Sequence, residues 1–148
     1  MKSAILQRIY AIFADWSSDL PVVCRPGCSA CCTQNVTITA NEGEEILRYV
    51  VTEKLADWLA DRLARPISHR SSRMTTNEFA AACLEGREVD AGDHGSMAPC
   101  PFLEDNLCRI YPVRPFSCRV FASTRRCSAS QPALVPDAYF EAATAVTQ

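Results

Sequence analysis

Nine cysteines are the residues of this 148-residue chain whose type and spacing point most directly to chemistry. One group lies in VCRPGCSACC, at 23–32, and a second lies in CPFLEDNLCRIYPVRPFSCRVFASTRRC, at 100–127. Thiolates are preferred ligands of zinc and of iron in iron–sulfur clusters, so the two groups predict a metal site. The predicted ligands are Cys24, Cys28, Cys31, Cys32, Cys100, Cys108, Cys118 and Cys127.

The ninth cysteine, Cys83, lies among alanines in EFAAACLEGR, apart from both groups. We interpret it as a small buried apolar residue of a helix rather than as a ligand.

The cysteine count and the amino terminus favour metal ligation over disulfides. An odd number of cysteines leaves at least one thiol unpaired in an all-disulfide scheme. Gln7, Arg8 and Asp15 interrupt the apolar run that a signal peptide would need. No stretch approaches the roughly 18 apolar residues of a membrane span. We therefore expect a cytoplasmic protein without a membrane partner, and thiols in a reducing cytosol are more often ligands or redox groups.

Composition bounds the class of protein. The formal net charge of −2 gives no basic surface for phosphates, which argues against a nucleic-acid partner. With 48% apolar and 22% charged residues, the chain can bury a hydrophobic core. Its length is that of one domain, and we predict a single domain over 1–148.

The spacing of the first cysteine group is compatible with more than one metal. Cys28-x2-Cys31 is the turn that offers two thiolates to one zinc ion, and two cysteines of the second group would complete a tetrahedral site. Cys24-x3-Cys28-x2-Cys31 also has the spacing that supplies three thiolates to a 4Fe-4S cluster. The cofactor is therefore zinc or iron, with a 4Fe-4S cluster as an open alternative.

The adjacent pair Cys31 and Cys32 bears on the number of centres. Neighbouring side chains of extended backbone point to opposite sides, so the two thiols are expected to serve different centres, or one is a ligand and the other free. The eight cysteines then fill two four-thiolate sites, or one cluster plus a reactive set.

Basic residues of the second group have an electrostatic role in this interpretation. Four thiolates around Zn²⁺ or a doubly charged 4Fe-4S core leave a net charge of about −2. Arg114 and Arg119 are predicted to stabilise that charge from behind the ligands, whereas Arg125 and Arg126 are interpreted as surface residues. Tyr111 either donates its hydroxyl to the same network or packs.

The segments between the cysteines predict a mainly α scaffold that carries two irregular metal-binding loops. An amphipathic helix is expected near the amino terminus, with an apolar face that comprises Ile5, Ile9, Ile12, Phe13 and Trp16. Further helices are predicted at about 42–64 and 77–86 and after Pro136. Capping-box spacing occurs at Thr39 with Glu42 and at Asn41 with Glu44. The alternation in NVTIT, at 35–39, favours a short strand or extended segment.

Other catalytic patterns are sparse. Asp93 and His94, in a polar connector, are the nearby pair whose substitution would test for an acid–base role.

Two motifs together resemble the YkgJ-type cysteine-cluster family, also described as the CxxCxxCC or zinc- or iron-chelating domain. The first is CRPGCSACC, and the second is CPFL followed by C-x-IY, RP and CR-x-F. The resemblance implies a small metal-binding domain with zinc or iron, and flagellin lysine N-methylases contain a similar cysteine domain.

Three classes of function remain open from the sequence. The first is a metal- or cluster-binding protein in metal handling, electron transfer or assistance to an enzyme. The second is an enzyme whose centre is the metal site, and the third is a zinc-stabilised domain that recruits a protein partner.

Overall fold

A computed structural model describes residues 2–66, 74, 76–89, 96–128 and 130–147. Within this part of the chain the fold is mainly helical and contains one small antiparallel sheet, which confirms the predicted mainly α class. The elements are α1 (Lys2–Ser17), α2 (Ala40–Thr52), α3 (Ala56–Leu63), α4 (Thr76–Leu84), β1 (Leu103–Glu104), β2 (Leu107–Cys108), a 3₁₀ turn (Tyr111–Val113), α5 (Phe116–Val120) and α6 (Asp137–Thr147).

The amino-terminal helix α1 exists as predicted, but its buried face differs from the expected one. Tyr10 and Phe13 are buried, whereas Ile5 and Ile12 are each 57% exposed and Trp16 is 44% exposed. A helix with apolar residues over a wide arc offers several faces to the core, and packing selects one of them. Here the selected face is the one that contacts α5 and α6.

The single helix predicted at 42–64 is wrong, because the structure divides it into α2 and α3. Lys54 adopts a left-handed backbone conformation with φ of 57°. The N–H of Leu55 donates to the Val50 carbonyl at 2.8 Å and that of Lys54 to Val51 at 3.2 Å. These two bonds form a Schellman motif, which ends a helix and usually has glycine where Lys54 stands. Because glycine is missing here, the break cannot be recognised from the residue types.

The start of α2 follows one of the two predicted capping boxes. Thr39 is the N-cap, and its hydroxyl accepts from the Glu42 N–H while the Glu42 side chain accepts from the Thr39 N–H. The alternative pair, Asn41 and Glu44, does not cap the helix. The 35–39 segment leading to this cap does not form a strand, and its last residue, Thr39, has extended backbone angles.

Two clusters of buried apolar side chains form the core. The first joins α1, α5 and α6 and comprises Tyr10, Phe13, Phe116, Ala122 and Tyr139. The second joins α2 and α3 to the second cysteine segment and comprises Ile46, Val50, Leu59 and Ile110. Cys24 packs against the first cluster and Cys108 against the second.

The remaining helices lie close to their predicted positions. Helix α4 ends before Gly86, whose φ of 67° suits a glycine C-cap. Helix α6 begins directly after Pro136, as predicted. None of the helices described is long and apolar enough to cross a membrane. The predicted pair Asp93 and His94 lies outside the described residues.

Candidate metal centre

Backbone hydrogen bonds place the two cysteine segments side by side. The Cys100 N–H donates to the Cys32 carbonyl at 2.9 Å, and the Gln34 N–H donates to the Ala98 carbonyl at 2.9 Å. Between these bonds, Thr33 and Pro99 form an isolated antiparallel bridge. Residues 68 positions apart in the chain, Cys32 and Cys100, therefore become neighbours.

A second contact ties the first segment to the residues preceding Cys127. The Val23 N–H donates to the Ser123 carbonyl at 2.8 Å, and the Ser123 N–H donates to Cys24 Sγ at 3.2 Å. Ser123 is 1% exposed. Its hydroxyl donates to the Arg125 carbonyl at 2.7 Å and accepts from the Leu134 N–H at 3.0 Å. Ser123 thus holds the backbone around Cys24 beside the segment that leads to Cys127.

The β1–β2 hairpin presents Cys108 beside the first segment. Its antiparallel register pairs Leu103 with Cys108. At the hairpin turn, Ser29 Oγ donates to Asn106 Oδ1 at 2.9 Å. Gly27 also lies close to the hairpin, since a Cβ added to it would lie 3.9 Å from Leu107 Cδ2. Gly27 has a φ of 88°, so the turn at 25–28 requires glycine for its conformation.

Electrostatic interactions divide the eight thiols into two sets. Burial raises the pKa of Cys24, and the negative charges of Cys28, Cys31 and Cys127 raise it further. Cys32 instead interacts with the charges of Cys100, Cys118 and Cys108. We name these groups the Cys24 set, which is Cys24, Cys28, Cys31 and Cys127, and the Cys118 set, which is Cys32, Cys100, Cys108 and Cys118. Cys31 also acts weakly on Cys118, so the sets are adjacent.

Within the Cys118 set, the thiols disfavour one another's ionisation. Burial, together with the charges of Cys100 and Cys108, raises the pKa of Cys118 to about 12. Burial likewise raises the pKa of Cys100 and of Cys108. Like charges gathered in a partly desolvated space favour the neutral form. A bound cation would reverse this preference, because it attracts every thiolate of the set.

Backbone N–H groups lower the pKa at four of the sulfurs, and at Cys31 the donor is that residue's own N–H. Besides Ser123 at Cys24, the N–H of Phe102 lowers the pKa of Cys100 and that of Ile110 lowers the pKa of Cys108. In both cases the donor lies two residues after the cysteine. Such N–H donors stabilise thiolates and orient them, as the outer contacts of metal ligands do.

The pair Cys31 and Cys32 joins the two sets. A hydrogen bond between the two side chains raises the pKa of Cys31 and lowers that of Cys32. Cys32 is therefore the thiol of the pair that ionises more readily. The two sulfurs face different neighbours, since Cys31 acts on Cys24 while Cys32 interacts with Cys100.

The two arginines predicted to support the ligands differ in their contacts. The Arg114 guanidinium lowers the pKa of Cys108 and of Cys118, so its charge reaches the Cys118 set. It also lies 3.9 Å from the centre of the Tyr111 ring and donates to the Tyr111 carbonyl at 3.0 Å. Arg119 donates to the carbonyls of Arg114 and Pro112, each at 3.0 Å, and lies 3.9 Å from the centre of the Tyr10 ring. Its contacts fasten α5 to α1.

Among the residues described, no three Cys, His, Asp or Glu side chains converge closely enough to hold a metal ion as they stand. Cys28 is exposed, and the other seven predicted ligands are half-buried. Cys83 is exposed on α4, so its predicted burial is wrong.

Glu42 is a residue whose second role the sequence pattern did not reveal. Its side chain is buried, with 4% of the residue exposed. Oε2 accepts from the Thr39 N–H and hydroxyl, as a capping box requires. Oε1 accepts from the Tyr10 hydroxyl at 2.9 Å and the Phe116 N–H at 2.6 Å. Glu42 therefore anchors the first residue of α5, two residues before Cys118.

Comparison with known proteins gives one match. A family model described as "CxxCxxCC: Putative zinc- or iron-chelating domain" matches residues 23–139, which include both cysteine segments. No curated protein and no solved structure matches the chain. Because the family model covers well over half of the sequence, the chain belongs to the CxxCxxCC family of zinc- or iron-chelating domains.

Proposed function

We propose that this protein binds zinc or iron through cysteine thiolates at two centres, one formed by the Cys24 set and one by the Cys118 set. The observation that carries the proposal is the hydrogen bond from the Cys100 N–H to the Cys32 carbonyl at 2.9 Å. It brings ligands from two distant segments into one region, as a metal centre requires.

The chemistry of the donors supports a thiophilic metal. Both sets are composed of cysteines, and four-thiolate ligation suits zinc as well as iron–sulfur clusters. Arg114 acts on Cys108 and Cys118, so part of the negative charge of a four-thiolate centre would be compensated. Zinc would crosslink the two segments, whereas an iron–sulfur cluster would in addition supply an electron-transfer centre.

Binding requires the thiols of each set to approach further, because they do not converge to ligand geometry as they stand. Cysteine side chains rotate about one bond, and backbone N–H donors at Cys24, Cys100 and Cys108 would stabilise the thiolates that a metal requires, against the burial that raises the pKa of all three thiols. Metal binding should therefore order both segments and release protons from the thiols.

The test is anaerobic purification followed by measurement of zinc, iron and sulfide per chain, with a visible spectrum before and after dithionite. Two zinc ions per chain in a colourless protein, or iron with sulfide and absorption near about 400 nm that bleaches on reduction, would support the proposal. A chain that is pure, folded and free of both metals, and that binds neither on addition, would overturn it.

Serine variants locate the two centres. Cys28→Ser should lower the metal content by one centre and Cys118→Ser by the other, whereas Cys83→Ser should leave it unchanged because Cys83 is exposed on α4. Loss of metal in Cys83→Ser, or full retention in both other variants, would contradict the assignment of ligands.

A further inference from the structure

We infer that the exposed side of α1 is a docking surface for a second copy of this chain, on which two α1 helices pair in antiparallel orientation. Helix α1 lies before the first cysteine and contains none, so the inference does not depend on the proposed metal function. It explains why residues of the predicted apolar face of α1 are exposed.

Four apolar residues form one stripe along α1, and they are Ile5, Ile9, Ile12 and Trp16. Their spacings of four, three and four residues are those of the seam between paired helices. Ile5 and Ile12 are each 57% exposed and Trp16 is 44% exposed, while Ile9 is half-buried. Helix α1 therefore has a second apolar face beside the one that packs against α5 and α6, and a continuous exposed face of this kind marks an interaction site.

The charged residues of this region are divided between the two ends of α1. Lys2 and Arg8 lie in its amino-terminal half, whereas Asp15 and Asp19 lie in its last turn and just beyond it. All four are exposed, and among the residues that the structure describes none of them forms an ion pair. Their order opposes the helix dipole, which favours acidic residues at the start of a helix and basic residues at its end. The stability of α1 itself therefore does not explain this arrangement.

An antiparallel pair of α1 helices covers the whole stripe. When the two helices run in opposite directions about a twofold axis, Ile5 of one copy lies opposite Trp16 of the other, and Ile9 lies opposite Ile12. Each contact occurs twice by symmetry, so every residue of the stripe meets an apolar residue. Burial of this apolar surface is the main favourable term in the association.

The same register pairs the charges. Arg8 lies beside Asp15 of the second copy, and Lys2 lies beside Asp19, so each basic residue meets an acidic one. A parallel pair would instead bring the basic halves of the two helices together and the acidic ends together, and like charges at an interface repel. Charge complementarity therefore selects a second copy in antiparallel orientation.

The surface at each end of the seam has a shape that suits its counterpart. A shallow groove between α1 and the start of α2 is lined by Lys2, Ile5, Leu6, Ile9 and Asn41. In the antiparallel register this groove lies opposite Trp16 of the second copy. The Trp16 ring is held in place by Phe13, at 5.5 Å between ring centres, and by Tyr139, at 5.7 Å. A large aromatic side chain that is already ordered loses little entropy on binding.

A lipid surface is the other partner for an exposed apolar helix face. Helices that lie on membranes combine such a face with a polar face rich in lysine and arginine, which attracts anionic lipids. In α1 and the two residues after it, basic and acidic residues are equal in number. The balanced charges favour a second copy over an anionic membrane.

The test is sedimentation velocity of the full chain in reducing buffer, which prevents disulfides between chains, at concentrations from about 1 to 200 µM. One helix pair buries less than the roughly 800 Å² per partner of a standard interface, so we expect a dissociation constant in the micromolar range. The mean mass should rise from the 16.3 kDa of one chain toward twice that value and fall again on dilution. A chain that stays at 16.3 kDa throughout would overturn the inference.

A matched pair of variants locates the surface. Ile12→Glu places a carboxylate near the centre of the seam in both copies and should abolish the dimer. Val51→Glu makes the same kind of change at a residue of α2 that is 71% exposed, and it should leave the dimer intact. Since both side chains are exposed, both variants should fold, which circular dichroism verifies. Dimerisation that survives Ile12→Glu, or that is lost equally in Val51→Glu, would contradict the assigned surface.

Charge reversal tests the orientation. Arg8→Asp brings two carboxylates together at each of two symmetric contacts and should raise the dissociation constant by about tenfold or more. Addition of Asp15→Arg should return it to within about threefold of the natural value. Both replacements suit the α1 dipole, so a less stable helix would not account for the weaker association. Failure of the second replacement to restore the dimer would overturn the antiparallel register.

Flotation with vesicles of phosphatidylcholine and phosphatidylserine tests the lipid alternative. We expect the chain to remain in the vesicle-free fraction, because α1 has no excess of basic residues. Binding to the vesicles by a chain that stays monomeric in solution would overturn the inference in favour of a membrane surface.

Discussion

Replacement of Glu42 by glutamine should destabilise the protein far more than a surface substitution. Each carboxylate oxygen of Glu42 accepts a backbone N–H, that of Thr39 at Oε2 and that of Phe116 at Oε1. Glutamine has only one carbonyl oxygen. In either orientation of the amide, its NH₂ group faces one of these N–H donors, and a buried donor loses its acceptor.

The magnitude follows from the bonds that are lost. An unsatisfied buried donor costs about 1–3 kcal/mol, and a hydrogen bond to a charged acceptor contributes about 1.5–3 kcal/mol. The Tyr10 and Thr39 hydroxyls can rotate to accept from the new NH₂ group, so they limit the loss. We therefore expect Glu42→Gln to lower the free energy of unfolding by about 2–4 kcal/mol at pH 7.

The loss of stability in Glu42→Gln should depend on pH. Burial raises the pKa of Glu42, but hydrogen bonds from the Phe116 N–H, Thr39 and Tyr10 outweigh it, and the pKa lies below the ordinary value of 4.5. The carboxylate therefore contributes its full stability above that value and loses it as the pH falls through the lower folded-state pKa. The difference between the natural chain and Glu42→Gln should narrow below about pH 4.5.

The assay is urea unfolding followed by circular dichroism, with Glu44→Gln as the matched control. Glu44 is an exposed carboxylate of the same helix, and its replacement should change the free energy by less than about 0.5 kcal/mol. A loss below about 1 kcal/mol in Glu42→Gln, or an equal loss in the control, would refute the reasoning.

Three further substitutions test other parts of the fold by the same unfolding assay. Lys54→Gly should stabilise the chain by about 0.5–1 kcal/mol, because glycine adopts the left-handed conformation without strain; destabilisation would contradict the assigned helix end. Ser123→Ala should cost about 1–3 kcal/mol, since it removes a buried acceptor of backbone N–H groups, whereas exposed Ser128→Ala should be nearly neutral. Tyr10→Phe should cost about 1–2 kcal/mol and much less in a Glu42→Ala background, which has no acceptor for the hydroxyl; equal costs in both would show that the two side chains are not coupled.

Several elements of the fold could be predicted from local sequence because their causes are local. The capping box at Thr39 and Glu42 and the proline before α6 act within one helical turn, so the helix starts were recognised. The end of α2 could not be predicted, because Lys54 occupies the position at which glycine usually marks the end of a helix. Ile5 and Ile12 were likewise predicted on the buried face of α1 but are exposed. The period of the apolar residues predicts a helix, but it does not tell which of several apolar faces packs against the core.

The kind of chemistry is encoded locally, because eight cysteines in two groups and their CPFL, RP and CR motifs place the chain in a zinc- or iron-chelating family. The neighbours of each thiol depend instead on how the helices pack. The pairing of Cys32 with Cys100 spans 68 positions, and the anchoring of α5 by Glu42 spans 74. Such contacts form only when the helices pack, so no spacing within either segment encodes them.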